Sequence, residues 1–265
     1  MHGMVNIAVR AARRAGELMV RQMNQLEALQ VVEKSRNDFV TQVDKAAEAT
    51  IIETIREYYP DHAILAEESG ATGDNEYQWI IDPLDGTTNY VHGFPVFSVS
   101  IAVAHRGEIE HGVVYDPLRQ EIFTASRGQG AQLDGRRIRV SKRTTVQQSL
   151  VATGFPYRAN LKYLDRYLEM LRVVMQESAG VRRPGSAALD LCYVAAGRVD
   201  AFFEFGLSRW DIAAGALMVR EAGGRISDFH GTDGYLETGN VVAGNTKTYA
   251  ALSRMLAPFS AGIQS

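Results

Sequence analysis

Apolar positions recur along this chain at two spacings, helical and alternating, and the changes between them mark its elements. Between residues 4 and 28, Val5, Ala8, Val9, Ala12, Ala15, Leu18 and Met19 fall on one helical stripe. Arg10, Arg13, Arg14 and Arg21 lie on the other faces, as a solvated surface requires. Val43, Ala47, Ile51, Ile55 and Tyr58 predict a second helix over 41–58, which Pro60 ends. The polar run 33–38 reads as a loop or hairpin tip, with a short strand over 39–41. Residues 62–66 and 79–81 read as strands, separated by an exposed loop over 71–77. From Phe97 the pattern alternates with period two. Strands over 97–103, 109–115 and 121–125, joined by tight turns, predict an antiparallel meander. Beyond it helix and strand alternate. A strand over 149–153 precedes an amphipathic helix over 160–177, whose apolar stripe is Leu164, Leu168, Leu171 and Val174. A strand over 199–205, a helix from 208 to 221, a strand–loop–strand over 225–243 and a last helix over 246–256 complete the pattern. The class is mixed α/β, in two halves, 1–147 and 148–265.

Composition narrows the function. Hydrophobic residues make up 46% of the 265, enough for a sizeable core. A formal charge of −3 makes no global case for nucleic acid or membrane. Cys192 is the one cysteine and lies in an apolar run, so it reads as a buried structural thiol in a reducing, cytoplasmic protein. No apolar run reaches the length of a membrane span, and the first helix does not read as a signal peptide. Gly128-Gln129-Gly130 lacks the third glycine and following helix of a dinucleotide loop. The densest basic cluster, Arg136, Arg137, Arg139, Lys142 and Arg143, reads as a solvated strand edge in preference to a patch for RNA or a protein partner.

The chemistry concentrates in Trp79-Ile80-Ile81-Asp82-Pro83-Leu84-Asp85-Gly86-Thr87-Thr88-Asn89-Tyr90. Pro83 lacks an N–H, so the strand is expected to end there. Asp82 and Asp85 then converge at its tip, where they repel unless cations or a proton intervene. Hard oxygen donors without nearby His or Cys suit magnesium, with manganese as the alternative. Gly86 permits close backbone approach, and Thr87 and Thr88 at a helix start favour an anion. Together they point to a phosphate ester held against magnesium. Taken singly, Asp44 and Asp211 read as helix-start carboxylates, Glu67-Glu68 as exposed loop, and Ser186 as an N-cap.

Asp-Pro-Leu-Asp-Gly-Thr-Thr-Asn resembles the central signature of the inositol monophosphatase family. Glu67-Glu68-Ser69 and the run from Trp210-Asp211 to Glu221-Ala222-Gly223-Gly224 resemble two further blocks of that family, in order. The segments 6–13 and 185–191 are most similar to its bacterial branch. The resemblance implies a layered αβαβα sandwich with an antiparallel N-terminal sheet and a smaller C-terminal sheet. It also implies magnesium-dependent, lithium-sensitive hydrolysis of a small phosphorylated polyol such as inositol 1-phosphate. By that resemblance Glu67, Asp82 and the Leu84 carbonyl hold one ion, and Asp82, Asp85 and Asp211 a second. Glu67 shares a third, and Lys34 lies in a loop flanking the site. Thr87 with Asp44, or Glu68, orients the attacking water. The phosphate lies on Gly86, Thr87 and Thr88. Gly185, Ser186, Ala187, Glu204, Asp211 and an arginine meet the substrate, with Arg182 preferred over Arg183. The same resemblance implies a homodimer. As an alternative role it implies transcription antitermination with RNA polymerase-associated factors.

Overall fold

The computed structural model describes residues 2–23, 31–35, 38–156 and 158–260, and omits the side chains of 31–41, 158 and 159. The helix expected over 24–28 and the side chain of Lys34 lie outside the described residues. In chain order the elements begin with α1 (Gly3–Met23), the paired strands β1 (Val31–Ser35) and β2 (Asp38–Thr41), and α2 (Gln42–Arg56). Then come β3 (Ala63–Ala66), β4 (Gly70–Thr72), β5 (Tyr77–Asp85) and the short α3 (Thr87–Val91). The meander is β6 (Ser98–His105), β7 (Glu108–Asp116), β8 (Glu121–Ser126), β9 (Gly130–Leu133) and β10 (Arg136–Arg137). The second half holds β11 (Leu150–Thr153), α4 (Leu164–Glu177), β12 (Gly180–Arg182), α5 (Ala187–Ala195) and β13 (Ala201–Glu204). It closes with α6 (Arg209–Glu221), β14 (Arg225–Ser227), α7 (Tyr235–Thr238), β15 (Val241–Gly244) and α8 (Thr246–Leu256).

Five layers result. Helices α1 and α2 cover one face of an eight-stranded sheet ordered β10-β9-β8-β7-β6-β5-β3-β4. Helices α5 and α6 lie between its other face and a five-stranded sheet ordered β12-β11-β13-β15-β14, whose outer face carries α4 and α8. The middle helices are built for this position. They are apolar nearly all round, and Ala187, Ala188, Ala195, Ala213, Ala214 and Ala216 let them approach both sheets and each other. The central core crosses the expected boundary near residue 147. It joins Ile80, Ala102 and Val114 to Ala152, Leu189 and Ile212.

Three expectations are corrected. The large sheet is not wholly antiparallel: β3 and β5 run parallel, Ala66 opposite Ile81, because β4 folds back and the following loop returns the chain to the same end. The strand carrying Asp82 does not end at Pro83 but runs on to Asp85 through a bulge, with Asp82 opposite Ser100 and Asp85 opposite Ser98. Helix α4 buries Tyr167, Met170 and, from the expected stripe, Val174; Leu171 packs partly buried on the core, while Leu164 and Leu168 are exposed. Both rows have helical spacing. The row holding Tyr167 faces the sheet because its ring packs on Phe203 and Phe205 and its hydroxyl meets Thr153 Oγ1 at 3.2 Å. Arg136 and Arg137 form an exposed edge strand, where charge discourages pairing with another sheet.

Candidate active site

A cleft of about 460 Å³ opens where strands end and helices begin. Strands β3 and β5 deliver Glu67 and Asp82 from one sheet. The ends of β11, β12 and β13 deliver Gly154, Arg183 and Glu204 from the other, and Ala187 and Asp211 stand in the first turns of α5 and α6. Ligands of α/β proteins collect outside such strand ends, where helix amino ends favour anions.

The bulge in β5 solves a problem of direction. Residues three apart on a regular strand point to opposite faces. The extra residue restores a common face, so Asp82 and Asp85 stand opposite Ser100 and Ser98, which are two apart. Asp82 is 2% exposed and accepts the Leu84 N–H at 3.0 Å. Burial pushes its carboxyl well above the usual range, and Glu67, Asp85, Asp211 and Asp44 push it further. Asp85 is anchored by the other half: its Oδ2 accepts Ser186 Oγ at 2.5 Å and the Ala188 N–H at 2.8 Å. Burial raises Asp85 to about 6 against these donors. Asp211 accepts the N–H of its N-cap, Ser208, at 2.7 Å in a capping box, and burial with Asp85 and Glu67 raises it too.

Gly86 has φ +98° and lines the cleft; a Cβ there would stand 3.0 Å from the Val96 carbonyl oxygen and 3.2 Å from that of Gly185. Thr87 Oγ1 lies 3.0 Å from the Leu84 carbonyl oxygen and 3.3 Å from Asp44 Oδ2, so hydroxyl and carboxylate form one unit. Thr88, Gly185 and Ala187 also line the cleft. Glu68 is not among its lining residues; its N–H is held by Glu48 Oε2 at 2.8 Å.

Two substrate-side expectations change. Arg182 is exposed outside the cleft and donates to the Val181 carbonyl at 3.0 Å, whereas Arg183 lines the cleft with its guanidinium 5.0 Å from the Phe155 ring centroid. Adjacent residues leaving a strand face opposite ways, so one of the pair had to point out. Ser186 is buried and does not line the cleft; its hydroxyl supports Asp85 and takes the Leu189 N–H at 3.4 Å. Glu204, 8% exposed, lies against Gly154, where any Cβ would collide with its carboxylate. Burial raises Glu204 to about 8, Asp85 adding to this and Arg183 opposing it. The sequence reading missed Phe155, Pro156, Leu207 and the role of Asn89, which bonds the Val96 and Pro184 carbonyls. The Gly154-Phe155-Pro156 break after a strand was the available signal.

Glu67, Asp82, Asp85 and Asp211 all line this cleft, and each of the last three has a raised carboxyl. Such a group ionises together only if cations share it, and an all-oxygen donor set fits magnesium. Among the described residues, no three His, Cys, Asp or Glu side chains already close on one point.

The model of the inositol monophosphatase family matches residues 1–260. "Nus factor SuhB" of Pseudomonas aeruginosa is 56% identical over 263 residues, 97% of each chain. The crystal structure of the extragenic suppressor protein SuhB from Bartonella henselae superposes with a TM-score of 0.94 at 45% identity, covering 96% of this chain and 98% of that one. The inositol monophosphatase from Anabaena (Nostoc) gives 0.86 at 41%, covering 96% and 95%.

Proposed function

We propose, from the premise that this chain belongs to the inositol monophosphatase family, that its phosphatase activity is magnesium-dependent and directed at inositol 1-phosphate or a similar small polyol phosphate. One observation carries the reading: four carboxylates of both halves line a cleft beside Gly86, Thr87 and Thr88. Glu67, Asp82 and the Leu84 carbonyl would hold one ion, and Asp82, Asp85 and Asp211 a second, with a third shared at Glu67; manganese is the alternative metal. When bound, the ions supply Lewis acidity and an activated water for in-line displacement at phosphorus.

The chain's residues do the rest. Thr87 and Asp44 orient the water and receive its proton. The backbone at Gly86, Thr87 and Thr88 holds the phosphate. Glu204, near its own pKa at neutral pH, exchanges hydrogen bonds with a substrate hydroxyl. Arg183, fixed over Phe155, turns its positive face to the ester. The cleft volume suits a single ring with its phosphate.

The test is phosphate release from inositol 1-phosphate with and without magnesium, alongside Asp85→Asn. Loss of that ligand should lower turnover by about three orders of magnitude, or roughly 4 kcal/mol of transition-state stabilisation. If neither inositol 1-phosphate nor a panel of sugar and nucleotide phosphates is hydrolysed, the reading fails.

The name carried by the Pseudomonas relative supports a second role, in transcription antitermination with RNA polymerase-associated factors. In cells lacking the wild-type gene, an Asp85→Asn protein that sustains ribosomal RNA synthesis would establish that role independently of hydrolysis. A homodimer fits the exposed Leu164, Leu168 and Met175 on α4.

A further inference from the structure

We infer that Glu48 is a positioning residue for the metal ligand Glu67: its carboxylate fixes the turn that carries Glu67 and so sets the affinity of the site for magnesium. The inference rests on the metal reading proposed above.

Helix α2 turns two acids inward, one turn apart. Asp44 meets Thr87, and Glu48, 4% exposed, accepts the Glu68 N–H at 2.8 Å. A buried acid is costly in a helix face otherwise made of Val43, Ala47, Ile51 and Ile55, where a hydrocarbon would pack. Its place therefore needs a reason, and the bond identifies one. After β3 the chain makes one more rung to β5, from the Glu67 N–H to the Ile81 carbonyl at 3.2 Å, and then turns through Glu68 and Ser69. The Ile81 carbonyl holds the Glu67 N–H, and Glu48 holds the next. The first is a neutral backbone bond at the end of a ladder. The second comes from a buried side chain on a packed helix. Without it the turn that carries Glu67 loses its tie to α2, and the carboxylate of Glu67 shifts relative to Asp82. Removal of such supporting partners typically lowers metal affinity 10–100-fold.

Two substitutions separate reach from charge. Glu48→Gln keeps the length and an acceptor oxygen but loses the charge. Glu48→Asp keeps the charge but is one methylene too short to reach Glu68. The readout is the magnesium concentration that half-saturates thermal stabilisation of the substrate-free protein, with the metal-free melting temperature as the check on folding. Glu48→Gln should stay within about threefold of wild type, while Glu48→Asp weakens about tenfold or more. The magnesium dependence of phosphate release should shift in parallel. The reverse order, or two variants with wild-type affinity, overturns the inference. Failure of the wild-type protein itself to bind magnesium instead overturns the metal reading on which it rests.

Discussion

Single residues in this cleft are held at odds with their solution chemistry, and Glu204 shows it most plainly. Its folded pKa is about 8, against 4.5 in an open chain, because it is buried beside Asp85. As pH rises past 4.5 the unfolded chain sheds this proton first. Glu204 therefore costs the metal-free protein stability progressively from about pH 4.5 to about 8, and the cost is constant above that. Glu204→Gln, which keeps the shape and cannot ionise, should match wild type near pH 4.5 and melt at a higher temperature above pH 8. Melting curves across this range in chelator would check it; a gap that does not widen with pH would contradict the assignment. If Glu204 meets a substrate hydroxyl as proposed, weaker substrate binding at neutral pH should accompany the gain. The raised pKa of Glu204 was not readable in the sequence, where the residue was a lone acid in an apolar strand. Its proximity to Gly154 depends on the pairing of β11 with β13, and its exposure to the charge of Asp85 depends on β5 of the other sheet ending at the same cleft.

At the scale of elements, α4 separates what periodicity supplies from what packing decides. Its leucine row and its Tyr167-Met170-Val174 row are both one face of a helix; the second is fully buried, while the first leaves Leu164 and Leu168 exposed and Leu171 partly buried. Met170→Ala should cost about 2–5 kcal/mol in denaturant unfolding, as buried large-to-small changes do. Leu168→Ala, at a side chain 48% exposed, should stay within about 0.5 kcal/mol of the wild-type monomer. If the leucine row is the homodimer face, Leu168→Glu should halve the mass seen by light scattering without lowering the stability of the monomer. The bulge in β5 is the second case. Asp82, Pro83 and Asp85 were legible as chemistry, yet a strand ending at Pro83 was the wrong geometry, because only the pairing with Ser98 and Ser100 shows the extra residue.

For the whole molecule, the continuous core matters more than the division into halves. Helices α5 and α6 are packed on both sheets at once, and Asp85 of the first half is anchored by Ser186 and Ala188 of the second. Neither half can bury its inner face alone. Calorimetry should therefore show one cooperative transition, with equal calorimetric and van't Hoff enthalpies. A fragment comprising 1–147 should expose the α5 and α6 face of its sheet and fail to give a folded, dispersed spectrum. Two separable transitions would mean that the halves are domains after all.

The sequence by itself determined the class of the chain, the order of its main helices and strands, and the acids and small residues of the site. Those features are local. Amphipathic spacing, a proline and glycine after a strand, and carboxylates in a compact run are all set by neighbours in the chain. It also carried the family signature, which brought together Glu67, Asp82, Asp85 and Asp211 before any geometry was known. The tertiary structure decided the rest: the parallel pairing that sets Glu67 beside Asp82, the bulge that turns Asp85 to the same face, and Ser186 spent on Asp85 and not on substrate. It also set Arg183, and not Arg182, on the wall of the cleft. Each of these depends on which strand lies next to which, and on burial energies summed over residues far apart, and no local pattern encodes either.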